Sequence, residues 1–373
     1  MEKIPMLDLD PEISLLWNEL NAAFQQVLKH GRFIMGPEVQ AFEDAVAAYL
    51  GVKHAVGVNS GTDAITIGLK SLGVGTGDEV ITTAYSFFAT AESISLLGAK
   101  PVFIDIDPIT FNIDPRLIER AVTDRTRVIM PVHLYGHAAA MSEIMEIADR
   151  HKLKVLEDTA QSFGGRYRED KLGTLGDIGA LSFFPSKNLG AFGDAGMLVT
   201  NDDDVAELAG MLRKHGAKRK YENEMVGFNS RLDSIQAALL NVKLPYLDSF
   251  NEGRRQAAAR YDELLADIPC LGVPVEVPPA YHVYHQYTIR ITGADRNEVK
   301  AALQESGINT MVYYPIPLHQ LPVYREMGCE FPVSELAAQQ VLSLPLWPQI
   351  SSETQTRIVK NLHSCISGKE SGN

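Results

Sequence analysis

Short apolar runs alternate with stretches of helical spacing, and this alternation constrains the fold more than any other feature of the chain. Runs at 55–58, 80–83, 101–106, 128–132 and 154–156 are separated by segments at 62–72, 89–97, 116–121 and 139–150 whose apolar residues recur at helical spacing. Two more runs follow at 180–184 and 197–200. Strands this short and apolar are covered on both faces, so the pattern predicts an α/β sheet with helices on each side. Two helices are expected ahead of it, at 17–29 and 39–50, the second opened by Gly36-Pro37-Glu38. A long helical stretch is expected at 234–263. Pro274, Pro278 and Pro279 then mark a linker, 284–291 alternates like a strand, and 297–305 and 335–341 read as helices. With 373 residues there is room for two units. The expected division is a large domain over 1–249 and a smaller C-terminal α+β domain over 250–373.

Composition narrows the function. The chain carries 34 Lys+Arg against 47 Asp+Glu, a net charge of −13, which argues against a nucleic-acid partner. An apolar content of 45% excludes a disordered chain. Cys270, Cys329 and Cys365 lie far apart with no CxxC spacing, so neither a zinc site nor a disulfide framework is expected, and a reducing, cytoplasmic setting is. The ten histidines include no HExxH motif, and no metal is expected. No GxSxG elbow occurs. Residues 1–5 lack the basic and apolar regions of a signal peptide, and no apolar run reaches membrane-spanning length.

Three segments could carry chemistry. Asn59-Ser60-Gly61-Thr62-Asp63 joins a strand to a helix, and free amides at a helix start bind anions, phosphate above all. An ordinary capped helix is the competing reading. Lys154-Val155-Leu156-Glu157-Asp158-Thr159-Ala160-Gln161-Ser162 ends an apolar strand in two acids, which strand alternation places on opposite faces. Either acid could equally be a solvated carboxylate or a cap. In the segment 182–196, Lys187 is the only cation between Lys171 and Arg213 and sits among apolar and glycine residues. Desolvation there lowers the pKa of an amine, as an imine-forming lysine requires. A snorkelling surface lysine is the alternative. The glycines of 73–78 follow a helix and precede a strand, the reverse of a dinucleotide fingerprint, and read as a turn. The basic stretch 213–220 reads as a solvated loop, with local attraction of a nucleotide diphosphate as the alternative.

One cofactor accommodates all three segments. Pyridoxal 5′-phosphate needs an amine for its aldehyde, an anion site for its phosphate and a carboxylate beside its ring nitrogen. An aromatic over its ring face also helps. The chain offers Lys187, the Gly61-Thr62 helix start, Asp158 and Phe87.

Six motifs carry a family resemblance: Asn-Ser-Gly-Thr-Asp-Ala at 59–64, Glu-Asp-Thr-Ala-Gln-Ser at 157–162, Ser-Phe-Phe-Pro-Ser-Lys-Asn-Leu-Gly at 182–190, Gly-Asp-Ala-Gly at 193–196, Asn-Ser-Arg-Leu-Asp-Ser-Ile-Gln-Ala-Ala at 229–238 and Tyr-Pro-Ile-Pro-Leu-His at 314–319. With them the chain, from about residue 5 to 365, resembles the DegT/DnrJ/StrS sugar aminotransferases, pyridoxal-phosphate enzymes of fold type I, the aspartate aminotransferase type. The resemblance implies that Lys187 holds the cofactor and shuttles the proton. It implies that Asp158 pairs with the ring nitrogen, Gln161 with the ring hydroxyl, and Phe87 with the ring face. Gly61, Thr62 and Ser182 would hold the phosphate, and Asn229 the phosphate in a neighbouring subunit, so a homodimer with shared sites is implied. Tyr314 and His319 match positions lining the sugar site. Arg231 is open between a sugar carboxylate or phosphate and a salt bridge to an acid such as Asp233.

The implied reaction moves the amino group of L-glutamate to a keto group of a nucleotide-linked sugar. Some relatives carry histidine in place of the lysine and act as dehydratases, so Lys187 favours transamination. Asn-Ser-Arg at 229–231 is similar to the branch acting on 3-keto sugars, either UDP-linked uronic acids of O-antigen synthesis or dTDP-linked deoxyhexoses. A 4-keto sugar, or a non-catalytic regulatory homologue, is the alternative. A departure is Tyr313, where many relatives have histidine.

Overall fold

The computed structural model describes residues 3–367, so the outermost ends of the two expected domains, 1–2 and 368–373, lie outside the described residues. Seven five-residue strands form the main sheet: β1 (His54–Val58), β2 (Glu79–Thr83), β3 (Lys100–Ile104), β4 (Thr126–Met130), β5 (Lys154–Asp158), β6 (Ile178–Ser182) and β7 (Gly196–Thr200). Their order is β1-β7-β6-β5-β4-β2-β3. β7 runs antiparallel to both of its neighbours, and the pairs from β6 to β3 are parallel. The sheet is therefore mixed. β2 and β7 bury all five residues, as strands covered on both faces must. Because β1, β5 and β6 point the same way, their carboxyl ends meet at one edge, where β7 begins. Open α/β sheets bind ligands at that edge.

Helices α1 (Asp10–His30), α2 (Pro37–Leu50), α3 (Gly61–Ser71), α4 (Phe88–Leu96), α5 (Met141–His151), α6 (Asp203–Leu212) and α7 (Ser234–Lys243) accompany the sheet. α3 buries Ala64 to Leu69 against β1, β5, β6 and β7. α2 and α7 pack on the other face, over Phe183, Met197 and Val199. The helix expected at 234–263 is broken at Leu244–Tyr246, where Pro245 supplies no amide, and resumes as α8 (Leu247–Leu265).

A separate antiparallel sheet joins β8 (Leu271–Gly272), β9 (Tyr287–Ile291) and β10 (Val341–Leu344). With α8, α9 (Arg296–Glu305) and α11 (Ser352–Ser367) it encloses its own apolar cluster around Tyr261, Tyr287, Leu303, Leu344 and Leu362. Ile4 joins this cluster and its amide donates to Gly307, so the start of the chain packs on its last third. α10 (Pro332–Gln340) is tied to the main sheet by Asp105, which accepts from the amides of Val333 and Ser334 and from the Ser334 hydroxyl.

The alternation expected from 284 yields a strand only from Tyr287, because Tyr284 turns with φ +43°. The helix expected at 335–341 stops at Gln340, and Val341 begins β10. α6, α11, β8 and β10 were not expected as such from the sequence.

Candidate active site

The site begins with the turn from β1 into α3. Ser60 caps the helix, its hydroxyl accepting from the Asp63 amide at 3.1 Å. The amides of Gly61 and Thr62, in the first turn, have no intrahelical acceptor. Glycine is required at 61, since a Cβ there would lie 2.6 Å from Ser182 Cβ at the end of β6. Gly196 is equally constrained, because its Cβ would meet the Ser60 carbonyl carbon at 2.2 Å. Three segments thus converge as backbone on one cradle. Ser230 holds it from behind, donating to Asp63 at 2.7 Å and accepting from the Asn59 amide at 3.1 Å.

β5 ends in Glu157 and Asp158, and the two acids part company. Glu157 is fully buried and accepts from the amides of Gly173, Leu175 and Gly176, each at 2.8 Å. His133 donates to it from Nε2 at 3.0 Å, since Nδ1 already accepts from the Ala139 amide. It is neither a solvated acid nor a helix cap. Asp158 faces a cavity. Its carboxylate accepts from the Thr90 hydroxyl at 2.9 Å and the Ala160 amide at 3.2 Å. Burial raises its pKa, opposed by those two donors and by the nearby Lys187 charge.

Lys187 sits in the turn after β6. Its amide donates to Phe184 at 2.8 Å, and a Cβ at Gly190 would lie 2.3 Å from the Pro185 oxygen, so the loop closes tightly on itself. Burial pulls the Lys187 amine down to about 8, against the pull of Asp158. Below the loop, buried Lys243 donates to the Gly190 carbonyl and pairs with Glu12.

Gln161 has a fixed orientation. The Tyr135 amide can only donate, so Oε1 faces it at 2.8 Å, and Nε2 donates to the Tyr314 hydroxyl at 2.9 Å. One hydrogen of Nε2 remains for a ligand. Tyr314 is held in turn by its amide, which donates to the Tyr85 hydroxyl at 2.8 Å. The Phe87 ring lies 6.1 Å from that of Tyr314.

Gly61, Thr62, Phe87, Asp158, Gln161, Ser182, Lys187 and Tyr314 all line one cavity of about 600 Å³. Asn229, Arg231 and His319 do not line it. Asn229 is exposed, one residue before the Ser230 anchor. Arg231 is half-buried and forms no salt bridge to Asp233 or to any other acid among the described residues. His319 is buried against Phe331 and pairs through Nε2 with Glu335 at 2.9 Å. Tyr313, noted as a departure from the family pattern, lines the cavity, and so do Ser86, Thr90, His285, Gln286 and Met311, which were not singled out in the sequence. Ser86 and Thr90 are bonded at 2.9 Å one helical turn apart, a spacing that could have been read; His285 lay hidden in an alternating run. A groove of about 470 Å³ near Thr123 and Lys152 gathers no comparable set, and its Arg127, His151 and Lys154 are paired with Asp78, Glu119 and Asp177.

The cavity therefore holds an amine of lowered pKa, a buried carboxylate, a cradle of free amides and a side-chain amide with one open donor. Pyridoxal phosphate fits that set: the carboxylate complements a protonated ring nitrogen, the open Gln161 donor a ring hydroxyl, and the cradle a phosphate. Residues 15–363 match the DegT/DnrJ/EryC1/StrS aminotransferase family. The chain belongs to this family. It is 50% identical over 364 residues to a protein of Geobacillus stearothermophilus named pleiotropic regulatory protein, covering 96% of this chain and 97% of that one. It is 44% identical to the dTDP-3-amino-3,4,6-trideoxy-alpha-D-glucose transaminase of Streptomyces venezuelae, covering 96% and 94%. It is 43% identical to the UDP-2-acetamido-2-deoxy-3-oxo-D-glucuronate aminotransferase of Pseudomonas aeruginosa, covering 94% and 96%. The crystal structure of S. venezuelae DesV with a ketimine intermediate superposes with a TM-score of 0.94 at 43% identity, covering 98% of both chains. The mixed-sheet aminotransferase fold expected from the motifs is the fold observed. Among the described residues no helix is long and apolar enough to cross a membrane, and no His, Cys, Asp and Glu cluster could hold a metal.

Proposed function

We propose that this aminotransferase uses pyridoxal 5′-phosphate to move the amino group of L-glutamate to the C3 keto group of a nucleotide-linked sugar. The observation that carries the reading is the pairing of Lys187 and Asp158 in one cavity with the Gly61–Thr62 cradle. The C3 position follows the S. venezuelae and P. aeruginosa relatives, whose names specify a 3-amino and a 3-oxo sugar. The nucleotide is UDP or dTDP, and the product an amino sugar for surface-polysaccharide synthesis.

When bound, the cofactor supplies an aldehyde that takes up amines and a protonated ring that draws electrons from the reacting carbon. The chain's own residues do the rest. Asp158, held by Thr90 and Ala160, keeps a negative charge opposite the ring nitrogen. Gln161 donates to the ring hydroxyl, and Phe87 covers a ring face. Gly61, Thr62 and Ser182 bind the phosphate. Lys187 takes a proton from the donor carbon and returns one to the sugar carbon, a role its lowered pKa suits at neutral pH. Tyr314, which lines the cavity, faces the sugar, whereas His319 and Arg231, outside the cavity of one chain, are assigned to the sugar by the motif alone.

We also propose a cytoplasmic homodimer in which Asn229 reaches the partner's phosphate site. Trp17, Leu28, Phe33, Ile34 and Met35 support it, as large apolar side chains exposed on α1 and the loop after it. A division of the chain near residue 249 is supported by the separate apolar cluster of the last third, although α8 runs across that point.

The test is the visible spectrum of the holoprotein before and after L-glutamate, with 2-oxoglutarate assayed. A cofactor band that glutamate converts, followed by amination of a 3-keto but not a 4-keto nucleotide sugar, is expected. A second reading, a non-catalytic regulator, is favoured by the name of the 50% relative. Cofactor binding with no release of 2-oxoglutarate would select it.

A further inference from the structure

His285 lines the cavity that holds Lys187 but belongs to the last third of the chain. Its ring is buried, and its tautomer can be deduced. Asn188, next to the lysine, donates through Nδ2 to Asn251 Oδ1 at 2.7 Å and to the Val283 carbonyl at 3.1 Å. A carbonyl only accepts, so Asn188 Oδ1 is the atom facing His285 Nδ1, at 3.2 Å. Nδ1 therefore carries the hydrogen, and Nε2 keeps its lone pair. Nε2 has only a long 3.4 Å contact, to the Gln286 amide. Burial and the positive charges of Lys187 and Arg254 hold the imidazole neutral, its pKa well below the usual value. Arg254 lies behind it, at 3.4 Å from the main-chain carbonyls of Tyr284 and His285. Asp158, across the cavity, is the acid paired electrostatically with Lys187. Among the described residues lining this cavity, His285 is the only imidazole.

We propose that His285 is a positioning residue of the transamination, its Nε2 lone pair accepting from the Lys187 amine whenever that amine is released from the cofactor. This rests on Lys187 being the cofactor lysine. A flexible amine that must collect a proton from one carbon and deliver it to another needs a fixed acceptor on its far side, or it spends its time in unproductive rotamers. The Nδ1 edge, bonded to Asn188, fixes where the Nε2 edge points.

Two amide replacements separate the edges, because asparagine can reproduce the Nδ1 donor and glutamine places a polar atom near Nε2. Wild type, His285→Gln, His285→Asn and His285→Phe are loaded with cofactor and mixed with glutamate under single-turnover conditions. His285→Gln is expected within about fivefold of wild type, and the Asn and Phe variants about 10²-fold slower at similar glutamate affinity. In the cofactor-free proteins, site-resolved reductive methylation of Lys187 against pH is expected to show a midpoint lowered in the Asn and Phe variants alone, since an acceptor for the ammonium has gone. Normal rates in His285→Asn, or a His285→Gln as slow as His285→Phe, would overturn the proposal by leaving only a structural role. Should the variants fail to fold, diethyl pyrocarbonate on the wild-type apoprotein decides. Modification of His285 that pyridoxal phosphate blocks is expected, and an unreactive His285 overturns the proposal. Lys187→Ala is run alongside: if it still converts glutamate, the reading of Lys187 has failed, whereas its inactivity beside unaffected His285 variants sinks this inference alone.

Discussion

The two sides of the main sheet at the end of β5 carry the same chemical group in opposite conditions. On one side Glu157 is saturated by three amides and an imidazole, and the loop 173–176 is wrapped around it. On the other, Asp158 has two donors and an open cavity. A buried carboxylate whose acceptor sites are all taken is an internal anchor. One that keeps accepting capacity toward a cavity, beside an amine of lowered pKa, is equipped to hold a cation that arrives from outside. Adjacent residues of one strand thus divide structure from chemistry, and neither burial nor residue type would have told them apart.

The largest expected effect lies on the chemical side. Lys187→Ala should lower turnover with glutamate and a keto sugar by about 10⁴-fold without unfolding the protein, read by coupled assay and calorimetry. The comparison itself is broken or upheld by exchanging each acid for its amide. Asp158→Asn should keep the fold and slow the glutamate half-reaction by about 10²–10³-fold, since an amide cannot hold the ring nitrogen protonated. Glu157→Gln should do the reverse, losing about 3 kcal/mol of stability as its amide nitrogen is forced against N–H donors, with near-normal rates in the folded fraction. Equal stability losses in both variants would erase the distinction.

Smaller effects sharpen it. Gly61→Ala should cost about 1–3 kcal/mol and weaken cofactor binding, because the new methyl meets Ser182, a change that titration of cofactor into apoprotein detects. The smallest is a pH effect. The Lys187 amine titrates near 8 in the folded protein against an unperturbed 10.5. Between those values the unfolded chain binds more protons at this site, so stability rises with pH there. Below 8 both states are protonated and the penalty is fully present. Chemical denaturation of cofactor-free wild type and Lys187→Met across this window should show the rise only in the former, and identical slopes would remove the buried amine from the account.

Much of this was readable before any coordinate. The strand–helix alternation located all seven strands of the main sheet, because a strand buried on both faces leaves an unmistakable apolar run. Lys187 stands out as a lone cation among apolar and glycine residues, Asp158 as one of two acids ending an apolar strand and the Gly61 turn as a strand-to-helix junction, each with a bland alternative in the sequence alone. What escaped notice obeys other rules. Pro245 lies inside the helical pattern expected at 234–263 and breaks it just after α7. His285 sat in a run whose alternation suggested a strand, while the positive φ of Tyr284 delays β9 to Tyr287. Asn229, Arg231 and His319 were marked by motif alone, and the cavity of one chain does not gather them.

The cavity is built from two stretches of chain made far apart in time. Its floor, from Ser60 to Ala195, leaves the ribosome early, whereas His285, Gln286 and the strip Met311–Tyr314 come 90 or more residues later. In the folded chain the floor supplies the cradle and the Lys187 amine, and the later stretch supplies the tyrosines and the histidine that face them. Enclosure of the cavity thus requires both stretches, and neither alone surrounds the Lys187 amine.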